Sequence, residues 1–250
     1  MSRRYKGGVI SATAPTTSTS AATGVWTLPQ QMQAIVGSGW PLAPLGWIGL
    51  LGDAGDDFGQ SVAVDSSGNV YVCGYSDPGG PYSFQIAKYN TVGAIQWQRR
   101  LGNVSGDFGQ SVAVDSSGNV YVCGISDFSG TNNFQIAKYN TSGTIQWQRS
   151  LGDGGNEIGY SVALDSSGNV FVCGDSNISG TLNVQIAKYD ASGAIQWQRS
   201  LGSSSSDTGY GVAVDSSANV YICGRSTISG SSNFLIAKLP GDGSATGTYT

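Results

Sequence analysis

The chain has 250 residues, of which 11% are charged, 39% apolar and 38 are glycine, with a formal net charge of −4. Apolar residues recur in short alternating runs too regularly for a disordered chain, and the many glycines among Ser, Thr, Asn and Gln suit a sheet protein with tight turns. Arg3, Arg4 and Lys6 are the only charged groups before residue 47, so the rest of the chain sets nine basic against sixteen acidic residues. A mildly acidic body of this kind argues against nucleic acid as a partner, because phosphate contact needs clustered Lys and Arg.

Residues 1–46 do not repeat and read as a tether with anchors. A basic start carrying Arg3, Arg4 and Lys6 is followed by a Ser/Thr/Ala-rich stretch from Ser11 to Thr23. An aromatic-bearing piece then runs to Pro41 and holds Trp26, Ile35, Val36 and Trp40. Apolar groups on a tether need a surface to cover them, so Arg3, Arg4, Lys6, Trp26 and Trp40 are the expected anchors of a docking arm. Gly7–Ser11 is too short for the apolar region of a secretory signal, and no run approaches the roughly 18 apolar residues of a membrane span. The chain is therefore expected to be soluble, made in a cytoplasm and not inserted in a membrane.

From residue 47 the sequence aligns on itself at an offset of 50, which brings Trp47, Trp97, Trp147 and Trp197 into register, and likewise Cys73, Cys123, Cys173 and Cys223. The repeats are 47–96, 97–146, 147–196 and 197–250. In the second copy four strands are expected: Ser111 to Asp115, Val120 to Gly124, Phe134 to Tyr139 and Ile145 to Leu151. Ser116–Asn119 and Asn140–Gly143 form short Gly-bearing turns between them. The first two strands are apolar on both faces and the last alternates Ile145 and Trp147 with Gln146 and Gln148, so burial is expected to fall from first strand to fourth. That gradient fits a propeller blade, whose inner strands are covered by neighbouring blades. The expected fold is all-β, a four-bladed β-propeller preceded by an extended arm. Trp47–Gly52 matches the fourth strand of a repeat, and the last copy has only three strands. An N-terminal strand pairing beside Phe234–Leu239 is therefore expected to close the ring and remove the open edge.

Gly109 to Gly124 reads GQSVAVDSSGNVYVCG and is followed by an IAKYN strand and a Gly-X-hydrophobic-X-Trp segment. This pattern, present in all four copies, resembles the bacterial β-propeller repeats of the SBBP type. The resemblance implies the propeller fold and, for a family with varied surface roles, little about chemistry.

The chain has no His, and Glu157 is its one Glu, which removes Ser-His-Asp triads, Cys-His dyads and His-based metal centres. No enzyme activity, cofactor or metal is expected. Asp65, Asp115, Asp165 and Asp215 end the first strand of each repeat and read as turn residues. A second acidic column, Asp57, Asp107, Glu157 and Asp207, and a basic one, Lys88, Lys138, Lys188 and Lys238, suggest one structural ion pair per blade. The four Cys read as small buried thiols without disulfides, and the Trp column as packing at the blade periphery. Ala218 replaces the glycine of the other copies at a turn and is expected to strain it if its φ is positive.

Variation concentrates in two sets of loops, YSDPGGPYS, ISDFSGTNN, DSNISGTLN and RSTISGSSN in one, DAGDDFGQ, NVSGDFGQ, DGGNEIGY and SSSSDTGY in the other. An antiparallel meander places both sets on one face, where Tyr75, Tyr82, Phe128, Asn132, Ile178, Leu182 and Arg225 are the candidate binding residues. The stretch from Lys6 to about Pro41, which opens KGGVISATAPTTSTSAATGVWTLPQQMQAIV, resembles the leader on structural proteins of marine tailed phages, particularly cyanophages. That resemblance implies a virion component, a head decoration or tail-fibre protein that contacts other capsid or tail proteins and takes its copy number from the symmetry of the particle. A carbohydrate or receptor-binding module acting through the variable face, on a host-surface glycan, is the second expectation.

Overall fold

The computed structural model describes residues 17–18, 21–22, 47–52, 55–102, 106–128, 131–152, 155–178, 180–202, 205–228 and 230–244. The chain falls into two compact units, Met1–Ile48 and Gly49–Thr250. In the first, β1 (Thr17–Ser18) pairs antiparallel with β2 (Ala21–Ala22). The arm residues Arg3, Arg4, Lys6, Trp26 and Trp40 lie outside the described residues.

The second unit is all-β, with the four blades of a β-propeller, one for each 50-residue repeat. Blade 1 comprises β3 (Asp57–Val64), β4 (Val70–Ser76), β5 (Ser83–Tyr89) and β6 (Ile95–Leu101). Blade 2 comprises β7 (Phe108–Val114), β8 (Val120–Phe128), β9 (Thr131–Tyr139) and β10 (Ile145–Leu151). Blade 3 comprises β11 (Glu157–Leu164), β12 (Val170–Ile178), β13 (Thr181–Tyr189) and β14 (Ile195–Leu201). Blade 4 comprises β15 (Asp207–Val214), β16 (Val220–Ile228) and β17 (Ser231–Leu239). Every blade is an antiparallel meander in chain order.

Two turns per repeat fix this register. Asp65 Oδ1 accepts from the amides of Ser67 and Asn69, each at 2.9 Å, and Oδ2 accepts from Asn69 Nδ2 at 2.8 Å and the Tyr71 hydroxyl at 3.0 Å. Asp115 and Asp215 repeat all four bonds, and Asp165 repeats the three that do not need a tyrosine, Phe171 standing where the others have Tyr. Turn chemistry thus accounts for the whole column. The left-handed position of that turn is Gly68, Gly118 and Gly168, with φ of 81°, 79° and 79°, and in the last blade Ala218, with φ of 61°.

Successive blades stack through one interface used three times. The first strands β3, β7, β11 and β15 lie side by side, tied by Ser61, Ser111 and Ser161, whose hydroxyls accept from the amides of Val112, Val162 and Val212 at 3.2, 3.3 and 3.2 Å. Behind them Tyr71, Phe84, Ile86 and Trp97 of blade 1 pack on Val112, Val120, Val122 and Tyr139 of blade 2, and the next pair repeats the arrangement. The middle strands carry this core, so burial peaks at β4, β5 and their equivalents and not at the first strand. The reason is position: the middle strands have a neighbour on each side within the sheet and a blade against the face, whereas the first strand borders the axis.

The ends differ from the expected closure. Residues 47–52 lie outside every strand, and the sheet of blade 4 has three strands among the described residues. Val62 and Val64 on the outward face of blade 1 are 64% and 58% exposed, and Phe234 and Ile236 on that of blade 4 are 78% and 71% exposed. Their equivalents Phe84, Phe134, Ile86 and Ile136 are wholly buried. Each of the buried residues has a following blade against it, and among the described residues the fourth blade has none.

Candidate functional site

The variable loops do share one end of the blades. The Asp107 amide donates to the Tyr82 carbonyl at 2.8 Å, Gly55 to Asp77 at 3.0 Å and Asn177 to Asn156 at 3.3 Å, so the segment before each of the first strands β3, β7 and β11 is bonded to the connection between a second and third strand or to the strand end beside it. The acidic column serves this junction. Asp107, Glu157 and Asp207 are buried against Gly102, Gly152 and Gly202, where any side chain would collide with the carboxylate or its neighbour Asn183. Glu157 accepts from the Gly155 amide at 3.0 Å and Asp207 from the Thr227 amide at 3.3 Å.

The expected ion pair with the lysine column is therefore not formed. Asp57 stands opposite Ser76 and Lys88 opposite Tyr71, at the two ends of the blade. The lysines instead lie over aromatic rings, Lys88 over Tyr71 at 5.2 Å, Lys138 over Tyr121 and Lys188 over Phe171 at 5.1 Å, and Lys238 over Tyr221 at 5.3 Å. Lys138 and Lys188 also donate to the Ala191 and Gly241 carbonyls in the next blade, both at 3.1 Å. A ring face and a carbonyl together satisfy an ammonium without a carboxylate.

Two non-repeating clusters occupy the variable end. Between blades 1 and 2, Tyr75 meets Tyr82 edge-on at 5.2 Å and Phe108 at 4.9 Å, Tyr82 and Phe108 lie 5.4 Å apart, and Phe58 borders Tyr75 at 4.9 Å. All four rings keep part of their surface in solvent. Between blades 3 and 4, Asp175 is buried beside Thr208, Tyr160 and Arg225, and Tyr160 meets Tyr210 edge-on at 5.4 Å. Burial pushes the Asp175 carboxyl up to about 6, against the opposing pull of hydrogen bonds from Thr208 and the Ile158 amide and of the Arg225 charge.

The sequence singled out Tyr75, Tyr82 and Arg225, and they belong to these clusters; Phe58, Phe108, Tyr160, Asp175 and Thr208 were missed because the contacts that assemble the clusters, Tyr75 with Phe108, Tyr160 with Tyr210 and Asp175 with Thr208, run between blades. Asn132 donates its amide to Asn156 Oδ1 at 3.2 Å, and Leu182 is half-buried opposite Asn177. Phe128 and Ile178 end β8 and β12, and their side chains lie outside the described part. A groove of about 480 Å³ at the blade periphery, lined by Arg99, Arg100, Ser126, Tyr139 and Gln148 among others, was also missed. Its one sequence signal is Arg100, where the other repeats have Ser150 and Ser200.

The Trp column packs between blades. Trp97, Trp147 and Trp197 donate to the carbonyls of Thr141, Ala191 and Gly241 at 3.0, 3.2 and 3.1 Å. Cys73, Cys123 and Cys173 are buried free thiols, held well above the usual thiol range by desolvation. Cys223 is exposed, because it lies on the outward face of blade 4. The described residues hold no group of three or more metal-ligating side chains, and no helix among them is long and apolar enough to cross a membrane.

The family model of the β-propeller repeat SBBP matches residues 46–79, 96–130, 146–180 and 196–231, more than half of the chain. The chain belongs to the SBBP β-propeller repeat family. No curated protein matches the sequence. Among solved structures, this SBBP protein is similar to a gluconolactonase from Xanthomonas campestris, with 12% identity, 70% of this chain and 57% of that chain covered, and a TM-score of 0.43. It is also similar to PorZ, a bacterial surface component of the type-IX secretion system of Porphyromonas gingivalis, with 15% identity, 76% of this chain and 27% of that one covered, and a TM-score of 0.41. The chain spans little more than half the length of the first and about a quarter of the second.

Proposed function

We propose that this SBBP protein is a structural component of a phage virion, fastened by its N-terminal arm, whose propeller presents a non-catalytic binding face to a host-surface glycan. The observation that carries the binding role is the partly exposed cluster of Tyr75, Tyr82, Phe108 and Phe58 on a rigid, hydrogen-bonded rim. Aromatic faces beside amide and hydroxyl groups suit the apolar faces and hydroxyls of a sugar. The virion role rests on the leader from Lys6 to about Pro41 and its resemblance to those of tailed-phage structural proteins.

Two experiments separate the roles. Deleting residues 1–40 leaves a folded propeller that no longer enters particles, read by mass spectrometry of purified virions; normal incorporation refutes the docking arm. A Tyr75→Ala/Tyr82→Ala double variant loses retention on immobilised host-surface polysaccharide by at least tenfold, and unchanged retention refutes the aromatic face.

A further inference from the structure

One interface joins blades 1 to 2, 2 to 3 and 3 to 4, and it has a knob and a socket. The ring of Phe84 fills the space beside Gly109, so that any side chain there would collide with it. Phe134 occupies the same place at Gly159, and Val184 at Gly209, where a Cβ would sit 2.7 Å from Val184 Cγ1. One knob and one socket remain. Phe234 is 78% exposed, and a Cβ on Gly59 would meet nothing within 4 Å.

The rest of each end matches in the same register. Ile236 and Cys223 stand exposed around the knob, Val62 and Val64 around the socket. Arg225, whose Nε is buried without a hydrogen-bond partner, holds the position from which Tyr75 reaches Phe108 in the next blade. The residue equivalent to Phe108 at the other end is Phe58, itself 45% exposed.

We propose that these two ends join head to tail between two copies of this chain, Phe234 of each entering the Gly59 socket of the other, so that eight blades form one closed ring. Four equal blades close on themselves only if each interface turns the chain a quarter turn, and here three equivalent interfaces leave the ends open. Propellers of about four to eight blades are the rule, and eight is the other multiple of four in that range. A heterologous contact that closes after two chains is saturated and leaves no sticky end. Gly211 stands where Ser61, Ser111 and Ser161 each bond the next blade, so the joint between chains lacks one hydrogen bond that the three internal joints have.

The full chain at micromolar concentration is expected to have, by light scattering, twice the 25.7 kDa mass of one chain, with Cys223 protected from a thiol reagent. Phe234→Asp and Gly59→Trp both alter exposed positions that blade packing does not use, and each should halve the mass and leave the circular dichroism spectrum unchanged. Mixed in equal amounts they retain one intact joint and recover the doubled mass. A wild-type mass of one chain overturns the proposal. If it comes with lower thermal stability in both variants, the ring closes within the chain; if Cys223 becomes reactive on deleting residues 1–46, the arm covers the face. Masses of many chains overturn the two-chain ring.

Discussion

Trp97 donates its indole Nε1–H to the carbonyl of Thr141, forty-four residues later, while its ring lies flat on the turn at Gly143. Arg99 closes the same turn by donating from Nε to the Gly143 carbonyl at 2.7 Å. A residue on the outermost strand of one blade thus caps the last turn of the next, and blades 2 and 3 repeat the device through Trp147 with Arg149 and Trp197 with Arg199.

Trp147 therefore tests how far stability lies between blades instead of within them. Trp147→Phe keeps a ring on Gly193 but loses the bond to Ala191, an expected cost of about 1 kcal/mol. Trp147→Ala also loses the buried ring, at about 3–5 kcal/mol. Urea unfolding of both variants measures the difference, and equal losses would show that the indole hydrogen bond, not packing, holds the joint.

Asp115 links stability to pH. Desolvation pushes its carboxyl up, but hydrogen bonds from Asn119, Tyr121 and Ser117 outweigh this and hold it below the usual value, and Asp65 behaves alike. A carboxylate lowered in the folded state stabilises the fold fully above its unfolded pKa and loses that contribution as pH falls through the folded value. The thermal midpoint should drop as pH falls below about 4. Asp115→Asn turns an acceptor facing Asn119 and Tyr121 into a donor, costs about 1–3 kcal/mol at neutral pH, and flattens the acid limb measured by calorimetry.

Ala218 is the one described residue other than glycine with positive φ, at 61°. Ala218→Gly should stabilise blade 4 by about 1 kcal/mol, since the left-handed region costs an L side chain that much and glycine nothing. A midpoint at or below wild type would mean that Ala218 makes a compensating contact.

The blades were legible because each repeat states its turns in the residues that form them. Asp65, Asn69 and Gly68 close one turn and Asn90 with Gly93 the other. Strand ends were less so. From sequence the second strand of blade 2 ends at Gly124 and the third begins at Phe134, because ISDFSGTNN looks like loop, yet the ladder continues through Asp127↔Asn132 to Phe128↔Thr131. Paired neighbours in a meander hold polar residues in strand that no local propensity would place there. The candidate site depended on contacts between repeats, such as Tyr75 with Phe108 and Asp175 with Thr208, and the offset that reveals a repeat says nothing about which face meets the next. The expected ion pair failed for the same reason, since equal spacing along the chain put acid and lysine at opposite ends of the blade.

Asp175 gives a second pH dependence, of opposite sign. Its carboxyl is pushed up to about 6 by burial, with the opposing pull of Thr208, the Ile158 amide and Arg225 too small to reverse it. A carboxyl raised in the folded state holds its proton more tightly than in the unfolded chain, so stability falls as pH rises from about 4 toward the folded value and stays low above it. Tyr160, beside it in the same blade, does not titrate in that window, because desolvation raises it to about 12. Asp175→Asn keeps an acceptor for Thr208 and the Ile158 amide and removes the charge. It is expected to raise the thermal midpoint at pH 8 and to leave it close to wild type at pH 4, where wild-type Asp175 is itself protonated. A variant less stable than wild type at pH 8 would show instead that the Asp175 charge is held productively by Arg225, making this junction of blades 3 and 4 an ion pair with a net stabilising role.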